Sequence, residues 1–427
     1  MRVVHISTFN EFGAGKAALR LHRALPAVGW ESTFYTSVAT APDVMGIPSP
    51  GGPRARLRRG LRRRWLDFRV QQERRRGPAF TNLFSHDRTP FGTEALRHLP
   101  AGDVVNLHWV TWFFETALLP RLAQPLVWTM HDMNAFTGGC HYDSGCGRYA
   151  AGCGRCPALG AVSERDLSAR IWRRKRQALL RVSPRRLHFV APSRWLARQA
   201  ERSPILAGFS VSVIPYGLDL NVFAPRDRNF ARHVFDLPQN ARIVLFIADR
   251  VNEERKGIGL LIQAAQRAPR ELGMRIATVG RVGTGEQTPP NTHHLGFVVD
   301  ERLLALAYCA ADVTVVPSLA DNLPLTGLES LACGIPVVGF AAGGVTEVVG
   351  DGETGLLVPP ADVGALGSAL AGLLGDDGRR AAMGARARRT AEEKYSAELQ
   401  ARRYIELYRR LLDAETAVSG TAGAGQA

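Results

Sequence analysis

The chain of 427 residues lacks any apolar run of about 18 residues, so a membrane-spanning helix is excluded on length. It has only six cysteines, too few to staple a chain of this size through disulfides, and a reducing compartment would keep them as thiols or metal ligands. The opening Met-Arg-Val-Val-His-Ile-Ser lacks the basic, apolar and small-residue sections of a signal peptide, so a cytoplasmic protein is expected. Acidic residues are in short supply. Against 54 Lys and Arg there are 39 Asp and Glu, a net charge of +15, which points to an anionic partner. No repeat of 20 to 50 residues recurs, which excludes a solenoid or propeller. With 45% hydrophobic and 22% charged residues, the composition is that of a folded globular chain long enough for two or three domains.

Short apolar runs alternate with helical patterns. Val3 to Thr8 leads through Gly13 and Gly15 into a helical stretch with Leu19, Leu21 and Leu25. Further buried-strand candidates are Val104 to Trp109, Leu126 to Met130, His188 to Ala191 and Val211 to Pro215. After Pro225 the pattern restarts with Arg242 to Ile247, Arg275 to Val279, His293 to Leu295, Val313 to Pro317, Val337 to Phe340 and Leu356 to Val358. The expectation is α/β throughout: two doubly wound, parallel-sheet domains in succession. Their predicted extents are 1–215 and 216–399. A last helix over 400–415, with Tyr404, Leu407, Tyr408, Leu411 and Leu412 at helical spacing, would pack back on the first domain, and a flexible tail would occupy 416–427.

The densest chemistry lies between Ala311 and Phe340, ADVTVVPSLADNLPLTGLESLACGIPVVGF. A strand ends at Pro317-Ser318, a loop follows, and a helix opens near Leu325 and Thr326. Open α/β sheets bind ligands at the carboxyl ends of their strands, and free N–H groups at a helix start favour a phosphate there. Asp321 and Glu329 bracket that helix start and place two carboxylates beside it, suited to a hydroxyl-rich ligand.

This segment resembles the signature of family-four retaining glycosyltransferases, which have the GT-B fold of two Rossmann-like domains flanking a cleft. Ser318, Glu329, Ala332, Cys333, Gly334, Pro336, Val337 and Val338 match the family pattern, whereas the first acid is Asp321 in place of Glu. The resemblance implies that Glu329 holds the ribose and Asp321 the donor sugar, with the helix start at Leu325 and Thr326 on the diphosphate. Arg250 and Lys256 resemble the family's two cations on that diphosphate; in isolation they would read as a solvated loop. Gly280, Phe297 and Val298 resemble the strip that reads the nucleotide base. Gly13 and Gly15 resemble the glycine loop approaching the donor phosphates, although Gly-x-Gly alone is more often a tight turn. His131, at the end of a strand, resembles the family's cleft histidine beside the reacting carbon.

The run HDMNAFTGGCHYDSGCGRYAAGCGRCP is similar to colanic-acid and exopolysaccharide transferases. The implied activity is transfer of a sugar from a nucleotide-diphosphate sugar to a glycan or lipid-linked acceptor, with no cofactor for catalysis. A soluble natural-product acceptor is the alternative within the fold, and an inactive zinc-stabilised scaffold the alternative outside it. Cys140, Cys146, Cys153 and Cys156 have the number and crowding for a tetrahedral structural zinc site, with free thiols or two disulfides as the alternatives. Between Arg54 and Arg76, arginines interleave with Leu57, Leu61, Trp65 and Phe68. That pattern is either a basic amphipathic helix for an anionic membrane surface, which would make the protein peripheral at the inner face of the membrane, or a solvated loop. Nucleic acid is not an expected partner, because no reading module accompanies the basic run.

Overall fold

The computed structural model describes residues 1–48, 52–74, 83–267, 269–289 and 291–423. The chain divides into two compact units, the first comprising 1–214 with 400–427 and the second 215–399.

The first unit is a seven-stranded sheet of β1 (Arg2–Phe9), β2 (Glu31–Val38), β3 (Val44–Gly46), β4 (Val104–Leu107), β5 (Leu126–Thr129), β6 (Leu187–Ala191) and β7 (Val211–Val213). Their order is β3-β2-β1-β4-β5-β6-β7, every pairing parallel. β4 and β5 are buried along their whole length, which is why they read as unbroken apolar runs. β2 and β3 escaped the sequence reading. Glu31 is exposed and only Phe34, Tyr35 and Thr36 are buried, so β2 carries its core contacts on three residues amid polar ones.

The helix Ala397–Gly423 closes this unit from Gln400 onward. Tyr404, Leu407 and Tyr408 are buried against Val3, Leu21, Trp30, Val104, Val127 and Val190. Two tyrosine hydroxyls also meet polar groups that would otherwise be stranded in the sheet. Asn106 Nδ2 donates to Tyr408 Oη at 2.7 Å, and Thr129 Oγ1 lies 2.9 Å from Tyr404 Oη. The helix runs on to Gly423, past the expected end at 415; residues 424–427 of the expected tail lie outside the described residues.

The second unit is a six-stranded parallel sheet of β8 (Arg242–Arg250), β9 (Met274–Arg281), β10 (Thr292–His294), β11 (Val313–Val316), β12 (Val337–Phe340) and β13 (Gly355–Val358), in the order β10-β9-β8-β11-β12-β13. Its core joins Val244, Phe246, Val313, Val315, Val338 and Phe340 to apolar faces of the surrounding helices. The helices Leu325–Ala332 and Asp377–Lys394 pack so closely that a Cβ on Gly384 would overlap the Gly334 carbonyl oxygen. In each sheet the strand order reverses once, between β1 and β4 and between β8 and β11. Crevices at such switch points, outside the carboxyl ends of strands, are where doubly wound folds bind ligands.

Candidate functional site

In the second unit, the turn after β8 is bent toward the end of β11. The short 3-10 segment Glu254–Lys256 ends on Gly257, whose φ of 80° suits glycine alone at low strain, and a Cβ there would overlap the Pro317 carbonyl oxygen. Leu319 N donates to Arg255 O at 2.9 Å, tying the two loops together. The result is an ion pair: Lys256 Nζ lies 2.6 Å from Asp321 Oδ2, with Arg255 Nη1 3.9 Å from the same oxygen. Ser318 Oγ donates to Asp321 Oδ2 at 3.3 Å and Asn322 N to Oδ1 at 3.0 Å. Burial alone would push the Asp321 carboxyl up, but the Lys256 ammonium and the Arg255 guanidinium hold it below the usual carboxylate range. It is a fixed anion at neutral pH, with both oxygens engaged.

The helix Leu325–Ala332 starts four residues after Asp321. Pro324, its N-cap, supplies no side-chain hydrogen bond, which leaves the N–H groups of Leu325 and Thr326 as the first two donors of the helix. Glu329 sits in its second turn, buried, accepting a hydrogen bond from Tyr308 Oη at 2.8 Å. Tyr308, in the helix Glu301–Ala310, was missed by the sequence reading because a buried tyrosine on an apolar helix carries no motif of its own.

Arg250 takes a different course from Lys256. It ends β8 with a largely exposed guanidinium paired to Glu286 Oε1 at 3.2 Å, and Asn252 Nδ2 donates to the other oxygen of Glu286 at 3.1 Å. The structure therefore joins Lys256 to Asp321, and Arg250 to an acid that sequence reasoning did not single out. At the end of β9, Gly280 has φ 145° and a Cβ there would overlap the Ala248 carbonyl oxygen, so only glycine fits. Its N–H donates to Gly296 O at 2.9 Å, which brings the segment with Phe297 and Val298 alongside. Val298 is buried, and Phe297 is exposed beneath the Arg281 guanidinium, 4.9 Å from the ring centroid.

In the first unit, Gly13 and Gly15 both lie in the helix Phe12–Ala24 that follows β1, but they differ sterically. A Cβ at Gly15 would come 2.8 Å from Phe9 O, whereas nothing lies within 4 Å of one at Gly13. Gly15 lets the helix seat on the strand end; Gly13 leaves open space. Nearby, Phe9 stacks on Trp109 with centroids 5.6 Å apart, and Trp112, exposed and at φ 71°, meets both edge-on. This aromatic rim was not foreseen.

His131 follows β5 and is buried. Its Nε2 is 3.0 Å from His108 Nδ1, and His108 Nε2 is 2.8 Å from His5 Nδ1, a file of three histidines running into the sheet. Burial lowers all three, His131 to about 4, so each is neutral at pH 7. Beside them, Asp132 gathers Trp109 Nε1 at 2.7 Å, His141 Nδ1 at 2.6 Å and Asn134 N at 2.8 Å. Burial would raise this carboxyl, but His141 holds it down.

The four clustered cysteines line one cavity of about 20 Å³ with Phe84 and Tyr149, and all are free thiols. Burial pushes Cys153 to about 12 and Cys156 to about 11, and Cys140 upward as well, so these three thiols stay protonated. Among the described residues, no group of three or more His, Cys, Asp or Glu is arranged to hold a metal ion, and the expected zinc site is not met. Of the two alternatives the sequence left open, the free thiols are what the structure has.

Comparison with known proteins places this geometry in context. Residues 241–376 match the family described as Glycosyl transferases group 1, a stretch that contains Arg250, Lys256, Gly280, Phe297, Val298, Asp321 and Glu329. The chain is 38% identical over 181 residues to a D-inositol 3-phosphate glycosyltransferase of Catenulispora acidiphila, covering 38% of this chain and 42% of that protein. It is 29% identical over 434 residues to one from Thermobispora bispora, covering 96% and 94%. The first three curated relatives are matched over about half their length: 42, 51 and 50%. Among solved structures, a sucrose-phosphate synthase from Thermosynechococcus elongatus superposes with TM-score 0.67 at 21% identity, covering 97% of this chain and 99% of that one. Anabaena HepE in complex with UDP and glucose superposes with TM-score 0.62 at 16% identity, covering 95% and 99%. The fold is GT-B, as the sequence implied. The relatives carry inositol-phosphate names rather than colanic-acid ones.

Proposed function

We propose that this chain transfers a sugar, with retention at the anomeric carbon, from a nucleoside diphosphate to an acceptor hydroxyl. The observation that carries the reading is the ion pair of half-buried Lys256 with buried Asp321, just before the uncapped start of the helix bearing Glu329. A lysine ammonium held at Asp321, four residues before the helix start, is suited to a diphosphate, and so are the N–H groups of Leu325 and Thr326. Glu329, held by Tyr308, has the chemistry for the two ribose hydroxyls, and Gly280, Phe297 and Val298 for the base edge. Arg250 reaches the diphosphate once it exchanges Glu286 for phosphate. Asp321 serves the sugar.

Retention is supported by the state of Asp321. With both oxygens occupied by Lys256, Ser318 and Asn322, it binds rather than attacks, which suits a front-face route in which the departing phosphate oxygen takes the acceptor proton. Catalysis is then positioning plus stabilisation of charge on the leaving diphosphate. The resemblance to exopolysaccharide enzymes favours a glycan or lipid-linked acceptor. The names of the curated relatives favour a second reading, a cyclitol phosphate.

A panel of UDP-, GDP-, dTDP- and ADP-sugars, read as thermal stabilisation and nucleoside diphosphate release, tests the class. One clear hit is expected; a ligand at 100 times its Kd stabilises by about 2.7 kcal/mol. Lys256→Ala should lower turnover by about 100-fold or more while leaving nucleoside binding within a few-fold, since its work is on developing charge. Equal losses in both would remove Lys256 from the leaving-group role, and no stabilisation by any nucleotide would overturn the class. Product analysis with a glycan acceptor and with inositol phosphate separates the two acceptor readings.

A further inference from the structure

The arginine-rich run forms the helix Pro53–Arg74, whose two faces do opposite things; Arg75 and Arg76 lie outside the described residues. One face holds the helix to the first unit. Leu66 is buried, and Val70 packs on the cluster of Phe84, Leu159, Leu167 and Ile171. Arg59 pairs with Glu94 and Arg62 with Glu115 at 2.7 and 2.6 Å, and Glu73 pairs with Arg170 at 2.7 Å. These anchors fix the rotation of the helix about its axis.

The opposite face is apolar and bare. At 100° per residue, Leu57, Leu61, Trp65 and Phe68 fall within one sector of about 80°, turned away from Leu66. They are 64, 57, 47 and 50% exposed, four large apolar side chains in a row that the fold leaves in solvent. Arg54, Arg56, Arg58, Arg63 and Arg64 are exposed along the same helix, with Asp67 the one exposed acid among them. Arg69 lies with its guanidinium 5.7 Å from the Trp65 ring centroid.

We propose that this face docks on an anionic lipid bilayer, with Leu57, Leu61, Trp65 and Phe68 entering the headgroup boundary and Arg54, Arg58 and Arg64, the exposed arginines within or beside that sector, on lipid phosphates. Charge complementarity selects the occupant. Each exposed arginine near an anionic bilayer contributes about 1 kcal/mol, and the apolar row adds burial that a soluble polyanion cannot give. Tryptophan between apolar and charged neighbours is the residue type that settles at a membrane interface. Among the described residues no helix is long and apolar enough to cross a membrane, so the attachment is to the surface. The inference is independent of the proposed transfer reaction, and its test contains no sugar nucleotide.

The full chain is sedimented at low ionic strength with vesicles of phosphatidylcholine, alone and with one-third phosphatidylglycerol. Binding to the anionic vesicles only is expected, weakening with salt. Arg54→Gln/Arg58→Gln/Arg64→Gln should weaken partition by about 100-fold, from three arginines at about 1 kcal/mol each. Trp65→Ser/Phe68→Ser should weaken it by about tenfold or more through lost apolar burial. All five positions are exposed, and unchanged thermal melting of both variants shows that the fold is intact. No binding to anionic vesicles overturns the proposal, as does binding that neither variant reduces. Loss in the arginine variant alone reduces the face to a general polyanion surface, and capture by RNA in preference to vesicles assigns it to nucleic acid; either outcome also overturns it.

Discussion

At the scale of single residues, the histidine file decides how His131 can act. His5, His108 and His131 are neutral, so each carries one N–H, and two contacts link the three rings. Their protons must therefore point one way along the file. If all sit on Nε2, the buried His5 Nε2–H is stranded, for that atom has no partner. If all sit on Nδ1, His5 keeps only a bare lone pair there, the smaller penalty, and His131 offers Nδ1–H as its donor. Nitrogen-detected NMR should find the Nδ1–H tautomer at His108. Acidification gives a second reading. Because the folded state holds His131 at about 4 against an ordinary 6.5, the unfolded state binds more protons between those values. Stability is then full above about pH 6.5 and falls as the pH drops toward 4, by an amount on the order of a few kcal/mol from this residue. Urea titrations at pH 7 and pH 5 should show that loss, and His131→Asn should remove this residue's share of it, leaving the part that the equally lowered His5 and His108 contribute.

At the scale of elements, two glycines separate packing from function. Gly257 combines φ 80° with backbone contact to Pro317, so Gly257→Ala should destabilise the second unit by about 3 kcal/mol and displace Lys256 from Asp321. For a unit of this size that is a fall in Tm of roughly 6 to 12 °C. Gly13 is open and helical, so Gly13→Ala should hold or raise stability by up to about 1 kcal/mol, and any loss of turnover then reports ligand approach. Calorimetry paired with the donor-release assay distinguishes the two cases. The same contrast explains what the sequence disclosed. Buried parallel strands such as β4, β5, β11 and β12 are written as unbroken apolar runs, and the helix-start signature around Asp321 and Glu329 is local in sequence, so both were legible. Tyr308, Glu286 and His108 reach their partners from other elements, which no spacing records. Nor could composition alone tell whether the arginine run was helix or loop; the anchors at Leu66, Arg59 and Arg62 depend on acids and apolar residues brought in from elsewhere in the chain.

At the scale of the whole molecule, the chain leaves the first unit at Ile214, builds the second, and returns at Gln400 to complete the first. That return is structurally required. β4 and β5 place Asn106 and Thr129 in the interior of the sheet, where an unpartnered polar group costs about 1–3 kcal/mol; Thr129 Oγ1 donates to Asn106 Oδ1 at 3.0 Å, and the tyrosines of the last helix supply further partners to both. Tyr408→Phe keeps the ring against Trp30 and removes only the hydroxyl, leaving Asn106 Nδ2 without that acceptor. We expect it to lower the stability of the first unit by about 1–2 kcal/mol. Ending the chain at Leu399 strips both hydroxyls and uncovers Val3, Val104, Val127 and Val190 together, which should abolish folding of the first unit outright. Denaturant unfolding followed by hydrogen exchange can tell the units apart. In Tyr408→Phe, amides of β4 and β5 should exchange faster while those of β8 and β11 keep their protection, because the second unit has its own core and takes from the last helix only its first residues, such as Ala397, whose N–H donates to Leu218 O. Equal loss of protection in both sheets would mean instead that the units unfold as one cooperative body.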